Sequence, residues 1–119
     1  MPVKTLAVDA TTASTDTSVE ALARTMLEEE LGDLVIAEGN KPVGIVTDRD
    51  IALAVARYGD LSELTAGDVM TPDPVTIHED ATAVDLPPTM AEGRVRRIPV
   101  VDDDGTLVGI ATLDDVVAT

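Results

Sequence analysis

The sequence predicts an α/β fold of the α+β type, built from two tandem β-α-β-β-α repeats. Three observations lead there. The stretch Gly44-Ile45-Val46-Thr47-Asp48-Arg49-Asp50 returns sixty-five residues later as Gly109-Ile110-Ala111-Thr112-Leu113-Asp114-Asp115, and Thr11/Thr76, Thr17/Thr82, Val19/Val84, Val35/Val100 and Val43/Val108 stand at the same offset. Apolar residues switch between a helical period and short runs bounded by turn residues. The 45% apolar content is almost all Val, Leu, Ile and Ala, with Tyr58 the only aromatic residue, which suits helices packed on a small sheet.

The chain has 119 residues, enough for one compact module. A single repeat of about 55 to 60 residues is near the lower limit for an independent core, so the copies are expected to share one about a pseudo-twofold. The expected division is a first repeat at 1–58, a polar connection at 59–68 and a second repeat at 69–119.

In order, Val3 to Ala13 reads as an extended, Thr-rich lead-in. A first helix is expected from Thr17, where Thr17-x-x-Glu20 fits a capping box, to a stop at Gly32. Val19, Leu22, Ala23, Met26, Leu27 and Leu31 form its apolar stripe, which makes Met26 a core residue and Glu28 to Glu30 a solvated face. Leu34 to Ala37, the turn Glu38-Gly39-Asn40-Lys41 and Pro42 to Val46 predict a β-hairpin. A helix from Asp48 to Tyr58 follows, ending at Gly59; Tyr58 at its end reads as packing with a wet hydroxyl. In the second copy, prolines force extended backbone before a strand near Val75 to Ile77. Thr82-x-x-Asp85 is a weaker capping box, and Pro87-Pro88 predict a kinked or restarted helix near Thr89. Ile98 to Val101 and Leu107 to Ala111 predict a second hairpin. Its Asp-Asp-Asp-Gly turn lacks the remaining ligand spacing of a calcium loop.

Twenty-three acidic residues face eight basic ones, a net charge of −15, with Lys4 and Lys41 the only lysines. The apolar content argues against disorder. So negative a surface repels itself and needs screening, as in proteins of extreme halophiles, and a haloarchaeal source and a cytoplasmic location are expected. Nucleic acid is excluded as a partner, since neutralising phosphates needs a basic face. With no cysteine, disulfides, thiolate metal sites and cysteine nucleophiles are excluded. No run of membrane-spanning length is present. There is no Walker loop, zinc-ligand cluster or serine with a plausible base, so no catalytic residue is assigned and an enzyme is not expected. His78, the single histidine, lies close to acidic neighbours and reads as a surface residue.

Gly-apolar-x-Thr-x-x-Asp at a strand-to-helix junction, doubled along nearly the whole chain, resembles the cystathionine-β-synthase (CBS) domain pair, the Bateman module. The resemblance implies a regulatory module that binds AMP, ADP, ATP or S-adenosylmethionine in clefts between the repeats, with no other cofactor and no metal. It implies that Thr47, Asp50, Thr112 and Asp115 hold the ribose. It also implies that Leu34, Val35, Thr76, Ile77, Ile98 and Pro99 line the adenine, with Leu34 standing in Pro99's place. Modules of this family often pair as homodimers; with no effector domain fused, signalling would pass to a separate effector protein.

The chemistry of the residues bears on those roles. An ionised carboxylate can accept from both hydroxyls of a ribose, and charge-assisted bonds are strong. A helix N-terminus adds free N–H groups and a positive dipole end, and Gly44 and Gly109 allow close approach. Thr47-x-x-Asp50 and Thr112-x-x-Asp115 equally fit helix capping boxes with no ligand, and one side chain can serve both ends. Arg94, Arg96 and Arg97 are half of the six arginines. Arg96 and Arg97, with Arg49, are phosphate candidates, against the alternative of favourable charge at a helix C-terminus. Two other readings stay open: an assembly scaffold without ligand, and an Mg²⁺-responsive module.

Overall fold

The computed structural model describes residues 1–93 and 97–112. It is a mixed α+β structure with two small sheets, and the chain divides into two compact units. The first comprises Thr11–Gly39 and Val43–Asp73; the second comprises Met1–Ala10, Asn40–Pro42 and the residues from Pro74 onward.

The first unit carries the sheet order β1 (Thr12–Ala13), β2 (Asp33–Glu38), β3 (Lys41–Thr47) and β4 (Thr71–Pro72). β1 runs parallel to β2, with Ala13 against Ile36, and β4 runs antiparallel to β3, with Gly44 against Pro72. Helix α1 (Val19–Glu29) places Leu22 in a buried cluster with Leu34, Ile36, Val46 and Ala66. A fully buried Leu, Ile or Val side chain contributes about 1.5–3 kcal/mol of transfer free energy. Helix α2 (Asp48–Tyr58) leaves β3 directly and ends at Gly59.

Three local expectations need correction here. The cap of α1 is Ser18 rather than Thr17: Ser18 Oγ accepts from the Ala21 N–H at 3.1 Å, while Thr17 Oγ1 accepts from the Ser14 N–H and is used up in the preceding turn. The helix ends at Glu30 rather than Gly32. Glu30 adopts the left-handed conformation (φ 56°), and Leu31 N–H reaches back to Met26 C=O at 2.9 Å, a cap geometry that favours glycine but does not require it. The polar connection contains a short helix, α3 (Ala66–Val69), whose Asp68 carboxylate accepts from the Thr65 N–H at 2.9 Å. Elsewhere in this unit, Thr15 donates its hydroxyl (2.6 Å) and its N–H (2.7 Å) to Glu38 Oε1, which holds that carboxyl below the ordinary glutamate value of 4.5.

The second unit has β5 (Ile77–His78) parallel to β6 (Arg97–Val101), which is antiparallel to β7 (Leu107–Thr112). A 3-10 turn at Ala83–Asp85 leads into helix α4 (Leu86–Gly93). The restart therefore falls at Leu86, before the prolines and not near Thr89. Pro87 and Pro88 occupy the first turn, where a missing N–H breaks no intrahelical bond. Leu86 and Met90 pack with Val3, Ile77, Ile98, Val100 and Ala111. The N-terminal segment thus belongs to this unit. Val3 is fully buried; its N–H donates to Ala81 C=O at 2.7 Å, and Val8 and Ile110 exchange two backbone bonds at 2.9 Å.

Strand pairing corrects the repeat register as well. Asp33 lies across from Thr47 as Arg97 lies across from Thr112, and Leu22, Leu34 and Ile36 fill one core as Leu86, Ile98 and Val100 fill the other. Helix and first hairpin strand therefore match at an offset of 64 residues, and the lead-in strand follows, since both parallel pairs join residues 23 apart. Ser18 and Thr82, the two helix caps, agree with that offset. Only past the hairpin turn does 65 hold. The first turn is tight, with positive φ at Gly39 (55°) and Asn40 (65°). The second is one residue longer: Asp102 Oδ1 accepts from Asp104 N–H and Thr106 N–H, and Gly105 takes φ 79°. At the corrected register Val35, not Leu34, stands in Pro99's place, and Asp33 stands in the place of Arg97.

Candidate functional site

Strand β3 delivers Thr47 to the start of α2, and the side chains there close a capping box. Asp50 N–H donates to Thr47 Oγ1 at 3.1 Å, and Thr47 N–H donates to Asp50 Oδ2 at 2.9 Å. Both residues are half-buried. The box engages one of the two carboxylate oxygens of Asp50, so capping leaves acceptor capacity on the same side chain. Arg49 is exposed in the first turn beside them.

At the second motif, Thr112 ends β7 with Arg97 directly across from it on β6. Cross-strand neighbours point to the same face of a sheet, so the guanidinium stem and the hydroxyl share one side. Asp115, Arg94 and Arg96 lie outside the described residues.

The motif glycines answer to their own chain. A Cβ at Gly44 would run into the Met70 thioether, and a Cβ at Gly109 would stand 2.9 Å from Val8 C=O and 3.0 Å from the Ala7 methyl. In both copies the segment preceding a repeat lies over this glycine.

The remaining predicted contacts separate by strand face. Leu34 belongs to the cluster around Leu22, and Ile98 and Ile77 belong to the cluster around Leu86. Alternation sends the side chains of Val35 and Pro99 to the opposite faces of their strands, where both are fully buried. Thr76 is exposed just before β5.

Asp33 escaped the sequence reading. It is the one buried charged residue among the described residues, 5% exposed at the head of β2. The Asp48 N–H donates to Gly32 C=O at 3.0 Å, which sets Asp33 across from Thr47 as Arg97 is set across from Thr112. A carboxylate at the head of an otherwise apolar strand was the signal available.

His78 joins the hairpin turn of its own unit. Its Nδ1 accepts from the Asp80 N–H at 3.1 Å, which leaves Nε2 to donate to Asp103 Oδ1 at 2.6 Å. Lys4 pairs with Asp80 at 3.1 Å, and that carboxylate raises the lysine above its ordinary value. Among the described residues no three His, Cys, Asp or Glu side chains gather as a metal site, and no helix is long and apolar enough to cross a membrane.

Comparison with known proteins agrees with this architecture. An uncharacterized protein of Methanopyrus kandleri is 37% identical over 108 residues, covering 89% of this chain; the chain spans 55% of that relative's length. Among solved structures, CBSX2 of Arabidopsis thaliana in complex with AMP superposes with a TM-score of 0.85 at 26% identity, covering 98% of this chain and 94% of that one. The CBS domain pair of protein MJ0100, in complex with 5′-methylthioadenosine and S-adenosyl-L-methionine, does so with a TM-score of 0.83 at 28% identity, covering 99% and 94%. The CBS domain itself matches twice, at residues 3–57 and 66–119, so the chain belongs to the CBS domain family as a tandem pair.

Proposed function

We propose that the chain is a regulatory module that binds an adenosine-containing small molecule at one or both of its motifs and passes the bound state to a separate protein. The observation that carries this reading is the repeated placement of a threonine at the end of the second hairpin strand with a charged side chain across the strand pair from it. The AMP and S-adenosylmethionine complexes of similar structures support the choice of ligand class. In this reading Thr47 with Asp50, and Thr112 with Asp115, hold the ribose. Val35 and Pro99 turn toward the adenine, and Arg97 grips a phosphate, with Arg96 and Arg49 as further cations. A ligand changes the output only through different affinity for two conformations of the module.

A second copy is the expected structural partner. The outward face of α2 carries exposed Ala52, Leu53, Val55 and Ala56, an apolar stripe on a chain of net charge −15. Two acidic and two basic residues balance on this helix, so two copies meet there with little repulsion. The scaffold reading also has an observation in its favour: the capping box at Thr47 closes without a ligand.

Calorimetric titration in molar KCl with ATP, ADP, AMP and S-adenosylmethionine, each with and without Mg²⁺, tests the proposal. Saturable binding of any of them supports a sensor. Silence from all, on protein with a folded circular dichroism spectrum, transfers the reading to a scaffold; a response to Mg²⁺ alone transfers it to a metal-responsive module.

A further inference from the structure

We infer that Met70 is a site of reversible oxidation by peroxides, through which the redox state of the surroundings reaches the Thr47 motif and leaves the Thr112 motif alone. This input is independent of the adenosyl reading: its participants are a thioether and the glycine beneath it.

Four methionines hold all the sulfur of a chain without cysteine, so oxidant chemistry at sulfur falls on thioethers. Met26 and Met90 are buried, 7% and 4% exposed, and Met1 is 63% exposed and belongs to neither buried cluster. Met70 differs from all three: it is half-buried, packed against the cluster around Leu22 while part of it stays wet. Strand alternation puts position 44 on the same face of β3 as Val46, a member of that cluster. Glycine leaves a gap there and Met70 fills it. Its Cβ and Cγ lie 3.2 and 2.9 Å from the place a Cβ of residue 44 would take, and its Sδ lies closer still. Met70 also closes α3, its N–H donating to Ala66 C=O at 2.8 Å, and leads directly into β4, where Thr71 and Pro72 pair with Ile45 and Gly44. Thr47 stands two residues beyond Ile45 on the same strand.

Hydrogen peroxide converts a thioether to a sulfoxide in one step. A sulfur lone pair takes one peroxide oxygen, the O–O bond breaks as the S–O bond forms, and the second oxygen leaves as water; sulfur loses two electrons and the peroxide gains them. The product is bulkier and polar. Gly44 closes one side of the Met70 sulfur, and an unpaired sulfoxide oxygen against an apolar cluster is unfavourable. The side chain must therefore lift, which reopens the gap over Gly44 and loosens β4 from β3 just before the Thr47–Asp50 capping box. At Gly109 the equivalent place is taken by Val8 C=O at 2.9 Å and the Ala7 methyl at 3.0 Å, groups that peroxide leaves unchanged. The input reaches one motif of the two.

The test treats the whole chain in molar KCl with dilute hydrogen peroxide until Met1 is half converted, and reads each methionine by peptide mass spectrometry. Met70 should gain one oxygen while Met26 and Met90 stay reduced. The amide resonances of Thr47 and Asp50 should move, the thermal midpoint should fall by about 4 °C, and methionine sulfoxide reductases should reverse both changes. Met70→Leu, which nearly conserves volume, should be oxidised at Met1 only and show neither change. If Met70→Leu does not fold, reversal by the reductases on the wild-type protein carries the test. Oxidation of Met70 no faster than that of Met26 and Met90 overturns the proposal. So does a Met70 sulfoxide that leaves the Thr47 and Asp50 amides in place, or the same movement of those amides in peroxide-treated Met70→Leu.

Discussion

Replacing Asp50 by asparagine separates capping from ligand binding. The capping box uses a single acceptor, Asp50 Oδ2, toward the Thr47 N–H at 2.9 Å. The asparagine side-chain oxygen can occupy that place, so the bond survives. What is lost for stability is one negative charge in the first turn of α2, about 0.3–1 kcal/mol through the helix dipole. A ribose held by two hydroxyls asks more. The amide presents one acceptor where the carboxylate presented two, and its NH₂ faces the second hydroxyl as a donor. A hydrogen bond to a charged group is worth about 1.5–3 kcal/mol, so adenosine-ligand affinity at this motif should fall about 10- to 150-fold. Thr47→Val does the reverse for stability: it deletes the acceptor for the Asp50 N–H at 3.1 Å and should cost about 1 kcal/mol. The assay is paired: urea unfolding by circular dichroism in molar KCl, and calorimetry on the same samples with the tightest-binding adenosine compound. Undiminished affinity in Asp50→Asn, together with a stability loss beyond about 1 kcal/mol, would show that Asp50 only caps the helix.

Other outcomes follow from the same geometry. Val3→Ala removes two methyl groups from the fully buried cluster around Leu86 and should cost about 2–3 kcal/mol in thermal or urea unfolding, whereas the half-exposed Val8→Ala should cost much less; equal, small effects would mean that the N-terminal segment does not pack as described. Leu53→Glu, on a side chain 43% exposed, should leave unfolding within about 0.5 kcal/mol and abolish self-association in sedimentation velocity; an unchanged sedimentation coefficient would remove α2 from the dimer surface. The Glu38 carboxyl, followed by NMR, should titrate below its ordinary 4.5 because Thr15 donates to it, and Thr15→Ala should move it back up only in part, since the backbone bond remains. A lowered folded value means that its contribution to stability is present above the unfolded value and fades as pH falls through the folded one. A Glu38 titration identical in both proteins would refute the assignment.

Much of the fold is legible in the amino-acid sequence, for local reasons. The helix after Thr47, its stop at Gly59 and both hairpins follow from spacing, turn residues and apolar period, which act within a few residues. The doubled motif is visible because its offset of 65 is uninterrupted from glycine to aspartate. The remainder is hidden by one residue. An extra position in the second hairpin turn shifts the helix and strands before it to an offset of 64, and alignment without a gap then pairs Thr17 with Thr82 and Leu34 with Pro99. Ser18 as the true cap and Asp33 as the counterpart of Arg97 fall out only when strand pairing supplies the register. The helix at Ala66 escapes notice although Thr65-Ala66-Gly67-Asp68 carries the capping pattern, because four residues show no period. Nothing local marks Val3 for burial: its partners lie more than seventy residues away.

That last arrangement bears on how the chain is made. The ribosome releases Val3 well before the residues that enclose it, Ile77, Leu86, Met90, Ile98, Val100 and Ala111. During that interval the segment is an apolar stretch in search of a surface, and the loop that must close to seat it spans more than seventy residues. Closure over such a distance is entropically slow, and waiting apolar segments are where misassembly begins. The core around Val3 thus becomes complete only once Ala111 has been made, whereas the unit around Thr47 has all of its residues by Asp73.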